Sequence, residues 1–88
     1  MHYVYILLLR NGDLYKGYTE DLKKRIKEHQ AGRVESTENK RPVCLIHYEA
    51  YALKSDALRR EKFLKTTEGR RLLRCQIKDI LLRFDLKE

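Results

Sequence analysis

The chain has 88 residues, 42% hydrophobic and 38% charged. That length holds one domain with a single modest core, expected over residues 1–88, and the composition excludes a disordered or fibrous chain. Twenty Lys and Arg against thirteen Asp and Glu leave a formal charge of +7, which points to a polyanionic partner.

Tyr3 to Leu9 is rich in strand-forming residues and predicts the first strand. The same apolar run is too short to cross a membrane, stops at Arg10 and lacks the basic leader of a secretory signal. No membrane partner is therefore expected, and the chain is placed in the cytoplasm. Asp13 to Tyr18 predicts a second strand, and Asn11-Gly12 between the two is a hairpin signal. Thr19 is the expected cap of a first helix running to about Ala31, with Gly32 as its stop and Leu22 and Ile26 on its inner face.

Residues 32 to 43 have no periodicity and read as a loop, basic at its end through Lys40 and Arg41. Val43 to Tyr51 predicts the third strand. Ser55 is the expected cap of a second helix, Asp56 to Lys65, and Thr67 that of a third, Glu68 to Arg83, with Leu73, Ile77, Ile80, Leu81 and Phe84 as its apolar stripe. Cys44 and Cys75 lie far apart among apolar residues and are expected as reduced, buried thiols; zinc would need more ligands at closer spacing.

The order is β-β-α-β-α-α. The first helix turns the chain round, so in an antiparallel sheet the third strand must pair with the first. The expected fold is α/β (α+β): three antiparallel strands in the order 2-1-3, flanked by three helices. The central place suits the first strand, which has the most continuous apolar run.

Three features carry chemistry. Glu61 lies in the apolar stripe of Ala57, Leu58 and Leu64 on the second helix, where an unpaired carboxylate would cost several kcal/mol, of order the burial penalty for a charge. It either pairs with a nearby Arg or leans to the rim, or it binds a hard metal ion. Arg25 and His29 are one turn apart on the first helix, an arrangement that suits a solvated edge or a phosphate clamp. Six tyrosines occur, four of them (Tyr3, Tyr5, Tyr15 and Tyr18) in the hairpin, where strand propensity alone accounts for such enrichment. Arg59, Arg60, Lys62 and Lys65 line the outer sides of the second helix, and Arg70, Arg74 and Lys78 repeat at four-residue spacing on the third. They serve either as a solvated face or as a groove for a phosphate backbone.

Tyr3-Val4-Tyr5 followed by Tyr15-Lys16-Gly17 resembles the paired tripeptides of the GIY-YIG nuclease superfamily. Arg25, ten residues after Tyr15, is similar to the family's helix-one arginine, His29 to the histidine of several branches, and Glu61 to the metal-binding glutamate. Arg33-Val-Glu-Ser-Thr and Arg41-Pro42 resemble the small stand-alone bacterial members, which are similar to the N-terminal domain of an excinuclease. Two departures stand out: no Asn occurs between Thr66 and Leu82, where many members carry one, and Tyr18 replaces the lysine of excinuclease relatives.

The resemblance implies a DNA endonuclease of repair or recombination. Its catalytic residues would be Tyr5, Tyr15, Arg25, His29 and Glu61. Glu61 would hold Mg2+ or Mn2+, Arg25 would grip a nonbridging phosphate oxygen, and Tyr15 would assist the attacking water. Which of Tyr5, Tyr15 and His29 is the base stays open. Lys16, Lys40, Arg41, Arg60, Arg70, Arg74 and Lys78 would contact DNA, with RNA as the other possible substrate. The alternative is a nucleic-acid-binding adaptor that kept the fold and lost turnover. A shared site also constrains the hairpin. A two-residue loop would set Leu8 opposite Tyr15 and place Tyr5 and Tyr15 on opposite faces. The expected turn is therefore Arg10-Asn11-Gly12 with a bulge, and Tyr15 opposite Leu7.

Overall fold

In the computed structural model, residues 1–84 are described; residues 85–88 of the expected domain lie outside the described part. Strands β1 (His2–Leu8) and β2 (Leu14–Thr19) form an antiparallel hairpin. Its turn is closed by Gly12 N–H donating to Leu9 O and Leu9 N–H donating to Asp13 O, both at 2.9 Å. Gly12 sits at φ 91°, the left-handed conformation that the bulge following a tight turn requires and glycine accepts without strain. The odd loop sets Tyr15 opposite Leu7 and Gly17 opposite Tyr5, as expected. Tyr5, Leu7, Tyr15 and Gly17 thereby share one face of the sheet.

Strand β3 (Cys44–Tyr51) pairs antiparallel with the other edge of β1, giving the expected order β2-β1-β3. A bulge shifts the register between Ile6 and Leu7, which face His47 and Leu45. β1 is buried on both sides. Val4 and Ile6 pack with Ala57 and Leu64 of helix α2 (Lys54–Leu64), Leu73 of α3 (Thr67–Gln76), Ile77, and Leu81 of α4 (Lys78–Arg83). On the opposite face Tyr5, Leu7 and Leu9 pack with Val43, Leu45, Tyr15, and Leu22 and Ile26 of helix α1 (Leu22–Gln30). One helix thus covers one side of the sheet and three cover the other, which explains the uninterrupted apolar run of β1.

Several local expectations are corrected. There are four helices among the described residues, not three: the expected third helix breaks at Ile77 (φ −111°, ψ 28°). The break has no Gly or Pro behind it. Packing decides it, since the bend leaves Leu73, Ile77 and Leu81 all buried against the sheet while Phe84 is exposed. Asp21, not Thr19, caps α1 by accepting from Lys24 N–H at 3.1 Å, because β2 continues through Thr19 and the Thr19 hydroxyl instead makes a turn with Asp21. Thr66, not Thr67, caps α3 through Gly69 N–H. No side chain caps α2, which begins before Ser55. The loop after α1 contains a short 3-10 turn, Glu38–Lys40.

Cys44 and Cys75 are free, as expected, but exposed. Cys44 lies between the inward-facing Val43 and Leu45 and itself points outward, and Cys75 lies on the outer side of α3. No helix among the described residues is long and apolar enough to cross a membrane.

Candidate active site

The centre of the site is a buried polar chain. The Tyr5 hydroxyl and His29 Nε2 are 2.8 Å apart, and His29 Nδ1 and Thr37 Oγ1 are 2.8 Å apart. All three residues are almost fully buried. β1 supplies the tyrosine, the last turn of α1 the histidine, and the loop after α1 the threonine. Burial, reinforced by the charge of Arg25 and opposed by Glu28, pushes the His29 pKa down, so the ring is held neutral. A neutral imidazole has one donor and one acceptor. The chain therefore runs one way or the other, with Tyr5 donating and Thr37 accepting, or the reverse. Both nitrogens are engaged either way, and no buried side-chain nitrogen or oxygen among the described residues lacks a partner.

Burial drives the Tyr5 pKa up to about 12, with Tyr15 and Glu61 adding to the effect and Arg25 opposing it. The Tyr5 hydroxyl is therefore within electrostatic range of both Arg25, from α1, and Glu61, from α2. Gly17 makes room for it: a side chain there would overlap the Tyr5 ring tip. This explains the glycine that ends the second tripeptide.

Tyr15 stacks its edge on this core. Its ring centroid lies 5.1 Å from His29 at 64° and 6.2 Å from Tyr5 at 37°. It is only partly buried, and among the described residues its hydroxyl makes no hydrogen bond within the chain. Arg25 is also partly exposed and donates through Nη1 to Glu28 Oε1 at 3.0 Å. The nearby Tyr5 hydroxyl and the hydrogen bond to Glu28 raise its pKa, keeping it charged while further donors of the fork stay available. Glu61 leans to the rim of the α2 stripe, its side chain 20% exposed, and meets Lys65 Nζ at 3.3 Å. Among the described residues no three His, Cys, Asp or Glu side chains gather into a metal cluster. Glu61 is the carboxylate near the tyrosines that could hold a hard cation.

The seven expected nucleic-acid contacts divide. Lys16, Arg70 and Arg74 line one cavity. Arg60 is engaged inside the fold: Nε and Nη2 grip the two Glu49 oxygens at 2.9 and 3.2 Å, and Nη2 also reaches Gln76 at 3.1 Å. It clamps α2 to β3 and α3. Arg41 bonds the carbonyls of Glu38 and Gln30. Lys40 and Lys78 are exposed. A cavity of about 660 Å³ lies away from the tyrosine cluster, between α1 and the β1–β3 surface around Tyr3 and Tyr48.

Sequence reasoning missed Thr37, Gly17 and Lys65. Thr37 sits in a loop without periodicity and carries no signal of its own. Gly17 lay in plain view inside the tripeptide, and Lys65, one turn after Glu61, was legible as a helical ion pair.

A three-stranded α+β domain whose central hairpin carries two tyrosine tripeptides, faced by an arginine and a histidine from one helix and a glutamate from another, is the class that fold and site define. The chain belongs to the GIY-YIG family, a family of nucleases: the GIY-YIG catalytic domain matches residues 1–74. It is 40% identical over 74 residues to a UPF0213 protein of Staphylococcus saprophyticus, covering 83% of this chain and 90% of that one. A UPF0213 protein of Staphylococcus haemolyticus is 44% identical over 66 residues, covering 74% and 80%. The solution NMR structure of a UPF0213 protein from Bacillus halodurans matches with a TM-score of 0.54 and 36% identity, covering 82% of this chain and 80% of that one.

Proposed function

We propose that the chain is a metal-dependent endonuclease that hydrolyses DNA phosphodiester bonds, acting on particular DNA structures in repair or recombination. The observation that carries this is the division of labour among the ring side chains. Tyr5 and His29 are buried and bonded to each other, so neither reaches a substrate. Tyr15 is held against both and keeps a partly exposed hydroxyl that has no partner among the described residues. Tyr15 is therefore the group that aligns the attacking water, and Tyr5, His29 and Thr37 are positioning residues behind it. Arg25 grips a nonbridging phosphate oxygen as charge builds in the transition state.

Glu61 fits a metal role. A cation, the Lys65 ammonium, already sits at its carboxylate. A single carboxylate with waters and substrate oxygens is an ordinary ligand set for Mg2+ or Mn2+. When bound, the ion supplies charge stabilisation at the phosphate and the leaving oxygen. The surface lysines and arginines supply affinity that does not depend on base sequence. The binding-only reading keeps one point in its favour, the lack of Asn between Thr66 and Leu82.

A cleavage panel of duplex, single-stranded, flap and Holliday-junction DNA with Mg2+ and with Mn2+, plus matching RNA, tests the proposal. Metal-dependent cutting of at least one substrate is expected. Binding without cutting across the whole panel overturns the nuclease reading.

A further inference from the structure

We propose that Lys16, Arg70 and Arg74 form a discrete phosphate-binding pocket on the side of the sheet opposite Tyr15. Lys16 follows Tyr15 on edge strand β2 and pairs across from Ile6. Its side chain therefore lies on the face covered by α2, α3 and α4. Arg70 and Arg74 stand one turn apart on α3. The three surround a cavity of about 340 Å³ with Leu14 and Leu73 as apolar lining and Asp13 as the one acid. A phosphate held there is separated from the one facing Tyr15 by the thickness of the strand.

The charges in this cavity are only partly compensated, by Asp13. Arg25, Arg59, Arg60, Lys65 and Arg71 each have a carboxylate within 4.0 Å. Among the described residues Lys16, Arg70 and Arg74 have none within that distance. Asp13 is turned to Asn11, whose Nδ2 donates to its Oδ2 at 3.1 Å. Burial, together with the charges of Arg70, Arg74 and Lys65, pushes the Lys16 pKa down, with Asp13 opposing. Two arginines at i and i+4 also repel one another. A fold that holds three cations and one acid around one hollow keeps a net positive charge there and gains by taking up an anion. Two planar forks and an ammonium match the several acceptor oxygens of a tetrahedral phosphate better than the two of a carboxylate. That the phosphate belongs to a nucleic-acid strand rests on the nuclease reading; the site itself does not.

The test follows arginine Nε–Hε signals by NMR as inorganic phosphate is added to the full chain at constant ionic strength. Arg70 and Arg74 are expected to shift and saturate while Arg59 stays still. Lys16→Gln and Arg74→Gln should each weaken binding about tenfold, the loss of one charge-assisted hydrogen bond. Glu61→Gln should bind phosphate as the wild type does, which separates this site from the proposed metal site. Uniform shifts of all arginines, or unchanged binding in Lys16→Gln, overturn the proposal. Short oligonucleotides with a 5′-phosphate, a 3′-phosphate or neither then identify the source. Preference for one phosphorylated end assigns a terminal phosphate. Equal binding that falls in both variants assigns an internal phosphodiester. Equal binding that neither variant changes again counts against the pocket.

Discussion

Tyr5 and Gly17 face each other across β1 and β2, and the tyrosine ring tip occupies the space that a side chain at Gly17 would fill. The absence of one methyl group thus places the hydroxyl that His29 holds. Gly17→Ala should force the ring aside and cost about 1–3 kcal/mol, the usual penalty of overpacking a full core. It should also move Tyr15, whose ring leans on Tyr5. Urea denaturation should show the stability loss, and cleavage should fall by more than the folded fraction does. Wild-type activity in a well-folded Gly17→Ala protein would contradict this placement of Tyr5.

Thr37 is predicted to matter as much as Tyr5. Thr37→Val keeps the shape and leaves His29 Nδ1 buried without a partner, at about 1–3 kcal/mol. Tyr5→Phe does the same to Nε2. Because one imidazole joins the two, their effects should not add: a double-mutant cycle should give a coupling of about 0.5–3 kcal/mol. Strict additivity would mean that the three residues do not act as one chain.

How much of this was legible in the sequence depends on the kind of signal. Strand order came from topology alone, since one helix that reverses the chain leaves few ways to close an antiparallel sheet. The placement of Tyr15 opposite Leu7 came from requiring two tyrosines on one face, and Gly12 supplied the bulge. The break at Ile77 was not legible, because no residue there resists helix and only packing against the sheet bends it. Nor was the fate of Arg60. It looks like any surface arginine in the sequence, and only the approach of β3 to α2 gives it Glu49. The cysteines misled because apolar neighbours in a strand or helix say nothing about which way one residue between them points.

The Glu49 cluster should control acid stability. Burial alone would raise its carboxyl pKa, but hydrogen bonds with Arg60, Tyr51 and His47 outweigh that and bring it from 4.5 down to about 2. A carboxylate depressed in the folded state stabilises fully above its unfolded pKa, and that stability is lost as pH falls from 4.5 towards 2. On the order of 3 kcal/mol is involved. Chemical denaturation at a series of pH values should show a steep acid limb in the wild type and a shallower one in Glu49→Gln. His29 adds a milder loss at higher pH. Its folded pKa is lowered, so stability declines as pH falls through about 6.5, where the unfolded chain begins to take up the proton. Arg60→Met should destabilise by taking from the partly buried Glu49 its permanent cation, leaving only His47 and Tyr51 as partners, yet leave the salt dependence of DNA binding unchanged. A reduced salt slope in that variant would put Arg60 back on the nucleic-acid face.

Glu61→Gln separates catalysis from binding. The amide keeps the size of the side chain and removes the charge that would attract a cation. It also removes the ion pair with Lys65, but that pair is near the surface and contributes about 0–1 kcal/mol, so the fold should survive. Metal-dependent cleavage should fall below detection. DNA affinity in the absence of metal should stay within about threefold of wild type, because phosphate contacts from lysines and arginines dominate it. It should strengthen if it changes at all, since Lys65 is released and one negative charge is gone. Arg74→Ala should behave in the opposite sense, lowering affinity and the slope of its salt dependence while the rate of the bound complex is nearly kept. Single-turnover cleavage at saturating protein measures that rate directly. If Glu61→Gln cuts as fast as wild type under those conditions, Glu61 does not hold the metal, and the search for the ligand moves away from α2.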